Sequence, residues 1–455
     1  MKYHFIAIGG IGMSGLAEYL LEQGCEVSGS DICGSKYTHK LEKSGVKVFI
    51  GHKAENVPGD CTVVASTAIR EDNPELLRAE ELGLKILHRS DLLAQIANNS
   101  GKFFLGYCGM HGKTTTSGLA SYVLAKAGYE PSYVVGGFVP ELNSNAQCAN
   151  GGYFVAELDE SDGTLVKYKP NLAVINNIEP DHLDFFTGGL EDILKNFSRF
   201  LDGSDAVVIA NNDCENTRTL IQRRKTVTFG LNDADYTAKN IEYNADFTTF
   251  DVYYKGEFLA DLKIILKGEY NVYNALAVFA SLCEAGGPVL GKALGCYFAE
   301  FTGMGRRFEK VAEFGGIVVY DDYAHHPTEI KAALSAAKSF KDRNVVAVFQ
   351  PHRYTRFQKL WNEFADSFGN AGRVVVTDIY SASEEPVEGV SSEKFAVELS
   401  KRLNVQAEHM SGDMRELARK LLPTLKSGDI VIGMGAGTIT CLGRELQEAV
   451  VASGI

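Results

Sequence analysis

What this chain lacks narrows its identity first. It has no C-x-x-C pair, and its 9 cysteines are scattered singly along 455 residues. An odd, dispersed set fits buried thiols in a reducing compartment, not a disulfide framework or a zinc site. Positive charge is in deficit, with 45 Lys and Arg against 58 Asp and Glu and a net charge of −13. That balance argues against a surface for nucleic acid or an anionic membrane, although it leaves room for a local basic pocket. No apolar run approaches the roughly 20 residues of a membrane span, and the first strand-like segment starts with no cleavable signal before it. The expectation is a cytoplasmic protein with neither nucleic-acid nor membrane partners. The rest of the composition, 45% hydrophobic and 23% charged, is ordinary for a globular protein. The chain is too long for one core, so two or three domains are expected.

The stretch with the most chemical content is Phe103-Phe104-Leu105-Gly106-Tyr107-Cys108-Gly109-Met110-His111-Gly112-Lys113-Thr114-Thr115-Thr116. An apolar run breaks at glycines, meets Lys-Thr and continues as a helix-like segment towards Ala127. Strand, tight loop and helix start together form an anion site, because first-turn N–H groups lack internal partners and the helix dipole favours negative charge. Gly109 and Gly112 let the backbone wrap a phosphate, Lys113 reaches the β/γ-phosphates and the Thr114 hydroxyl holds Mg²⁺. The strict G-x-x-x-x-G-K-[ST] pattern would place glycine where Tyr107 stands. A bare glycine-rich turn is the alternative, and the flanking strand and helix favour phosphate binding.

Upstream, Tyr3 to Ile8 reads as a strand, Gly9 to Gly15 as a glycine turn, Leu16 to Gln23 as a helix and Cys25 to Asp31 as a second strand. Gly10, Gly12 and Gly15 satisfy G-x-G-x-x-G, and Asp31 lies where a ribose-binding acid is expected. Alone, this fingerprint points to NAD(P) before other diphosphates, but glycines and a helix N-terminus also serve a nucleotide-sugar. Short strands near Val46–Ile50, Cys61–Ala65 and Lys85–Leu87, with a helix from Asn73 to Leu82, complete an α/β unit that ends at the polar Asn98 to Lys102.

Downstream of the phosphate loop, Tyr153 to Glu157, Leu172 to Asn177 and Ala206 to Asn211 read as buried strands. Ligands in parallel α/β sheets sit beyond the strand carboxyl ends, which places Glu157, His182 and the loop on one rim. Carboxylate and hydroxyl suit Mg²⁺, for which imidazole is an unusual ligand. Glu157 competes with a reading as one surface acid among Asp159, Glu160 and Asp162, and His182 with one as a capping or salt-bridged histidine. From Tyr236 to Leu266 the pattern alternates, with Lys255-Gly256 at a turn, and predicts antiparallel strands inserted in this domain. Asn271 and Asn274, one turn apart on the following helix, share a face; an Asn cap is the plain alternative. The last segment is α/β again, with polar turns at Asp321 to Pro327, Gln350 to Arg356 and Gly435 to Thr438. Arg353 and Arg356 could clamp a phosphate or carboxylate.

These motifs in this order resemble the Mur ligase family over the full length. The residues that carry the resemblance are His4-Phe5 through Gly9-Gly10-Ile11-Gly12-Met13-Ser14-Gly15, Ser28 to Asp31, Gly109 to Thr115, Glu179-Pro180-Asp181-His182, Asp321-Asp322-Tyr323 with His325-His326-Pro327, and Gln350 to Arg356. The resemblance implies three domains: an N-terminal Rossmann-like domain for UDP (1–100), a central P-loop ATPase-like domain with the antiparallel insert (101–306) and a C-terminal Rossmann-like α/β domain (307–455). It implies an ATP-dependent ligase of peptidoglycan-precursor synthesis that phosphorylates the lactyl carboxylate of UDP-N-acetylmuramate and joins L-alanine to it.

By the same resemblance, Gly10, Gly12, Ser14, Gly15, Asp31 and His52 hold UDP in place of NAD. Gly109, Met110, His111, Gly112, Lys113, Thr114 and Thr115 hold the ATP phosphates, Asn271 and Asn274 flank adenine, and Arg307 and Asp322 complete the ATP site. Thr114 and Glu157 ligate one Mg²⁺, and Glu157 with His182 a second, with Mn²⁺ as a substitute. Lys113, His182, His325, Arg353 and Arg356 form the catalytic set. Met110 and Tyr270 depart from the threonine and histidine usual at their places, and Thr438 from an aspartate. Three other readings remain: a ligase attaching a recycled murein peptide to the same sugar nucleotide, an NAD(P)-dependent oxidoreductase, and a non-enzymatic UDP-sugar sensor. The sequence carries no signal for oligomeric state.

Overall fold

A computed structural model describes residues 1–453 except Asp184, Arg223, Ala245, Ser339, Lys341, Asp342, Ser383 and Asn404. The architecture is mixed α/β, built on three sheets of 5, 10 and 6 strands. By contacts the chain forms two compact units: one of Met1–Glu242, Thr248–Ile265 and Asn271–Thr302, the other of Tyr243–Phe247, Leu266–Tyr270 and the chain from Gly303 onward. Among the described residues no helix is long and apolar enough to cross a membrane.

The first sheet is wholly parallel, in the spatial order Lys47–Ile50, Glu26–Asp31, Lys2–Ile6, Thr62–Ala65 and Ile86–His88. The strand order reverses at Lys2–Ile6, so its carboxyl end, where the glycine turn lies, is the crevice in which such sheets bind ligands. The strand stops at Ile6 because Ala7 takes φ 64°, outside the extended region.

The second sheet has a parallel centre in the order Val207–Asn211, Leu172–Ile175, Phe103–Cys108, Tyr153–Glu157 and Ser132–Val139. Its central strands are apolar on both faces, as burial under helices on each side requires. The alternating segment forms three strands, Tyr236–Tyr243, Thr248–Tyr254 and Glu257–Ile264. They extend one edge of this same sheet through the parallel pairing of Tyr236 with Phe229. Tyr254 pairs with Glu257 across the antiparallel hairpin whose turn residues, Lys255 at φ 50° and Gly256 at φ 86°, are both left-handed, as a two-residue turn matched to strand twist demands.

The third sheet, in the second unit, runs Glu309–Phe314, Ile317–Asp322, Ile430–Met434, Val345–Phe349, Arg373–Val376 and Gln406–His409, parallel except for the first pair. Its core is aromatic: Phe349 touches Phe364, Phe368 and Phe395 at ring separations of 5.3 to 6.4 Å.

Candidate active site

The phosphate loop lies between the strand Phe103–Cys108 and the helix Lys113–Lys126. Tyr107 is therefore a strand residue, fully buried with its hydroxyl 2.7 Å from Ser281 Oγ, and the loop needs no glycine there. Gly109 does need to be glycine: at φ 124° an added Cβ would stand 2.9 Å from the backbone of Asn177. Gly112 caps the helix at φ 82°, where a Cβ would strike the side chain of Asn274. Met110, the departure that the motif leaves unaccounted for, is buried in the apolar core of this unit. A thioether fills that space without asking for a hydrogen-bond partner.

Two asparagines that follow the neighbouring strand Leu172–Ile175 brace the loop. Asn177 Oδ1 accepts from the His111 N–H at 2.8 Å and its amide donates to the His111 carbonyl at 3.1 Å, while Asn176 donates to the same carbonyl and to Thr116 Oγ1. His111 Nε2 lies 3.4 Å from Glu179. Thr114 and Thr115 are buried in the first helical turn, and the Thr114 hydroxyl makes no hydrogen bond among the described residues.

Lys113 does not extend into solvent. Its Nζ donates to Gly109 O at 2.7 Å, Met110 O at 3.2 Å and Glu160 Oε1 at 2.8 Å. Glu160, which the sequence placed among surface acids, is completely buried, and its Oε2 has no partner among the described residues. Burial pushes the Glu160 carboxyl up to about 7 against the pull of Lys113. Burial works against the Lys113 ammonium too, but Glu160, Asp159 and Glu157 outweigh it and raise its pKa. Asp159 is held below the usual carboxylate range: burial would raise it, and Arg89, paired 2.5 Å away, and Lys113 outweigh that.

Glu157 ends its strand and accepts from the Gly136 N–H at 2.8 Å. His182, at φ 52°, sets Nε2 3.8 Å from Glu160 and 3.6 Å from Asp181. A buried carboxylate oxygen without a partner and an uncommitted threonine hydroxyl beside the loop are hard oxygen donors, so the residues present fit a divalent cation. Asn271 and Asn274 sit inside the helix Glu269–Gly286, buried, with Asn274 donating to Asn271 Oδ1 at 3.0 Å. They are not caps; Asn274 backs directly onto Gly112.

In the first sheet, Gly10 caps the helix Ile11–Glu22 and Asp31 Oδ2 accepts from the Gly9 N–H at 2.8 Å, bracing the turn. A Cβ on Gly12 would sit 3.7 Å from an Arg89 guanidinium nitrogen, and one on Gly15 would stand 2.6 Å from Asn145. Gly15 thus permits close packing of the helix against the strand Ser144–Gln147 of the second sheet. The Ser14 hydroxyl turns back onto Ile11 O at 3.0 Å. His52 follows the strand Lys47–Ile50 and bonds Ser30 at 2.8 Å.

The second unit gathers its own polar rim. Asp322 accepts from the N–H groups of Phe308 and Ala324, each at 2.8 Å, and burial pushes its carboxyl up to about 6 against Arg307. Arg306 and Arg307 stand over the Tyr323 ring at 4.8 and 5.1 Å. His325 Nδ1 meets Tyr323 O at 2.9 Å, and Glu329, 3.3 Å from that ring nitrogen, also lies 3.6 Å from Arg307. Arg353 takes φ 68° at the start of the short helix Tyr354–Lys359 that carries Arg356. His352 stacks on Tyr380 at 5.4 Å, and burial among His325, Arg356 and Arg353 lowers its pKa to about 3. Thr438 accepts from Gln350 at 2.9 Å.

The sequence missed Glu160, Arg89 and the asparagine pair Asn176-Asn177. The acid run after Glu157 and the paired amides at a strand end were the available signals.

Comparison with known proteins gives the family to which this fold belongs. Three family models match in succession: Mur ligase family, catalytic domain (residues 2–100), Mur ligase middle domain (108–282) and Mur ligase, glutamate ligase domain (306–437). The chain belongs to the Mur ligase family. Within it, the chain is 44% identical over 455 residues to UDP-N-acetylmuramate–L-alanine ligase of Gloeobacter violaceus, covering 98% of this chain and 95% of that one. It is 40% identical to the ligase of the same name from Geotalea daltonii, covering 98% and 97%. The crystal structure of UDP-N-acetylmuramate-alanine ligase from Thermotoga maritima matches with a TM-score of 0.85 at 31% identity, covering 100% of both chains. A murein peptide ligase from Psychrobacter arcticus, at 22% identity and a TM-score of 0.74, shares the fold.

Proposed function

We propose that this chain is an ATP-dependent, amide-bond-forming ligase that joins L-alanine to the lactyl carboxylate of UDP-N-acetylmuramate in cytoplasmic peptidoglycan-precursor synthesis. The observation that carries the reading is the 40 to 44% identity, over 98% of the chain, to ligases named for this reaction. The γ-phosphoryl group of ATP passes to the carboxylate, the L-alanine amine attacks the acyl phosphate, and the tetrahedral intermediate expels phosphate. Charge on the phosphoryl oxygens must be neutralised throughout. Lys113, already beside the loop carbonyls, exchanges Glu160 for phosphate oxygens. The loop from Gly109 to Thr115 cradles the phosphates, Asn271 and Asn274 flank adenine, and Arg307 and Asp322 complete the site. Thr114 and Glu157 hold one Mg²⁺ and Glu157 with His182 a second, Mn²⁺ serving as well. When bound, the cations neutralise phosphoryl charge. Gly10, Gly12, Ser14, Gly15, Asp31 and His52 hold the UDP part, and His325, Arg353 and Arg356 the substrate and its developing negative charge. The domains divide as 1–100, 101–306 and 307–455.

Phosphate release with UDP-N-acetylmuramate against a panel of amino acids and short peptides tests the reading. L-alanine is expected to give the highest turnover. Turnover with a murein peptide alone would transfer the assignment to the recycling reaction, and NAD(P) binding without ADP production to an oxidoreductase.

A further inference from the structure

A buried polar chain in the first sheet reaches His52 from behind. Glu75, on the helix Pro74–Glu81, is completely buried. Its Oε1 accepts from Asn56 Nδ2 at 2.7 Å and from the Lys53 N–H at 3.1 Å. Its Oε2 accepts from the Ser30 hydroxyl and faces His4 Nε2 at 3.4 Å. His4 and Ser30 are both fully buried, and Ser28 Oγ lies 2.9 Å from the other His4 nitrogen. Burial alone would raise the Glu75 carboxyl, but the bonds from His4, Ser30, Asn56 and the Lys53 N–H outweigh it and hold it at about 2. An ionised carboxylate only accepts. The single Ser30 proton is therefore committed to Glu75, and Ser30 Oγ must accept from its other neighbour, His52 Nδ1 at 2.8 Å.

We propose that Glu75 and Ser30 are positioning residues that fix the proton of His52 on Nδ1, so that Nε2 is presented as an acceptor to a hydroxyl or imide N–H of the bound nucleotide. The relay runs His52 Nδ1–H to Ser30 Oγ–H to Glu75 Oε2. Nε2 makes no hydrogen bond among the described residues, and the His52 side chain is 15% exposed at the carboxyl edge of the sheet. Ser30 stands next to Asp31, which braces the glycine turn, so the relay and the turn share one rim. The ligand class rests on the UDP reading of the preceding subsection; the protonation of His52 does not.

The test exploits the direction of the relay. In Glu75→Gln, Asn56 and the Lys53 N–H still require an acceptor, so the amide oxygen takes the place of Oε1 and the NH₂ group faces Ser30. Ser30 then accepts from Gln and donates to His52, which moves the imidazole proton to Nε2. Long-range ¹H–¹⁵N spectra of the full chain labelled in histidine, with His52 assigned by His52→Gln, are expected to show Nδ1–H in the wild type and Nε2–H in Glu75→Gln. Ser30→Ala, the smaller change, is expected to leave both tautomers populated. In calorimetry the Kd for UDP-N-acetylmuramate is expected to rise roughly 5- to 30-fold in Glu75→Gln, as loss of one hydrogen bond gives, and by a smaller factor, about 2-fold or more, in Ser30→Ala, where part of the population keeps the accepting tautomer, with ATP affinity unchanged. Nε2–H in the wild type, an unmoved proton in Glu75→Gln, or an unchanged Kd in both variants would overturn the proposal. Wild-type protein that shows the Nδ1–H tautomer but binds no UDP-N-acetylmuramate would instead refute the UDP reading.

Discussion

The ion pair of Lys113 with Glu160 makes a measurable claim: the loop lysine is held by a buried acid before any nucleotide arrives. At their 2.8 Å separation, Coulomb attraction with an effective dielectric of about 20 is about 6 kcal/mol. Desolvation returns several kcal/mol per ion, and the second carboxylate oxygen has no partner to recover it. A coupling energy of about 2 kcal/mol should survive. Lys113→Met strands Glu160, and its cost of about 3 kcal/mol sits at the low end for a broken buried pair because burial already lets the carboxyl take up a proton near pH 7. Glu160→Gln leaves the ammonium on two loop carbonyls and should cost about 1 kcal/mol. The double variant should therefore cost about 2 kcal/mol, well short of the sum. The only tryptophan, Trp361, belongs to the second unit, so the readout is taken from the helix that carries Lys113. Hydrogen exchange of the helix Lys113–Lys126, followed by mass spectrometry at pH 7.5 in all four proteins, reads the opening free energy locally. Additivity within about 0.5 kcal/mol would refute the pairing.

Gly112→Ala combines a left-handed backbone with a clash against Asn274; it should destabilise the loop by at least about 1 kcal/mol and lower ATP affinity at least tenfold, measured by calorimetry. Tyr107→Phe removes a buried hydroxyl but leaves Ser281 donating to Val278 O, so a stability loss of about 1 kcal/mol with unchanged turnover is expected; lost turnover would return Tyr107 to the loop. Glu75 titrates at about 2 in the fold against an ordinary value of 4.5, so its stabilisation is complete above pH 4.5 and is lost as pH falls through 2. The difference in unfolding free energy between wild type and Glu75→Gln should shrink by about 3 kcal/mol across that window, and a pH-independent difference would contradict the buried carboxylate.

The elements themselves were legible because their signals are local. Apolar runs ending in glycine mark strand-to-helix turns, and alternation with Lys255-Gly256 marks a hairpin, whatever lies elsewhere in the chain. The phosphate loop was legible for the same reason: Gly109 and Gly112 meet backbone demands that no other residue satisfies cheaply. The placement of the alternating strands as an extension of the central sheet was not legible, since pairing partners lie far away in sequence. Side-chain environments were least accessible. Glu160 reads as one of several acids until the fold buries it against Lys113, and the cap alternative for Asn271 and Asn274, which share a helix face, falls only once the helix is seen to begin before them.

Alone, the sequence determined three α/β segments, a phosphate loop with its lysine and hydroxyl, a second glycine turn with its acid, and membership in a ligase family. Backbone conformation and periodicity are written in neighbouring residues, and motif order needs no coordinates. Only the tertiary structure decided that Tyr107 belongs to the strand, that Met110 fills core space, that Lys113 is clasped by Glu160, and that Glu75 reaches His52 through Ser30. Each of these depends on which distant groups share a low-dielectric interior, where an unpaired polar atom is costly and each proton must have an assigned place.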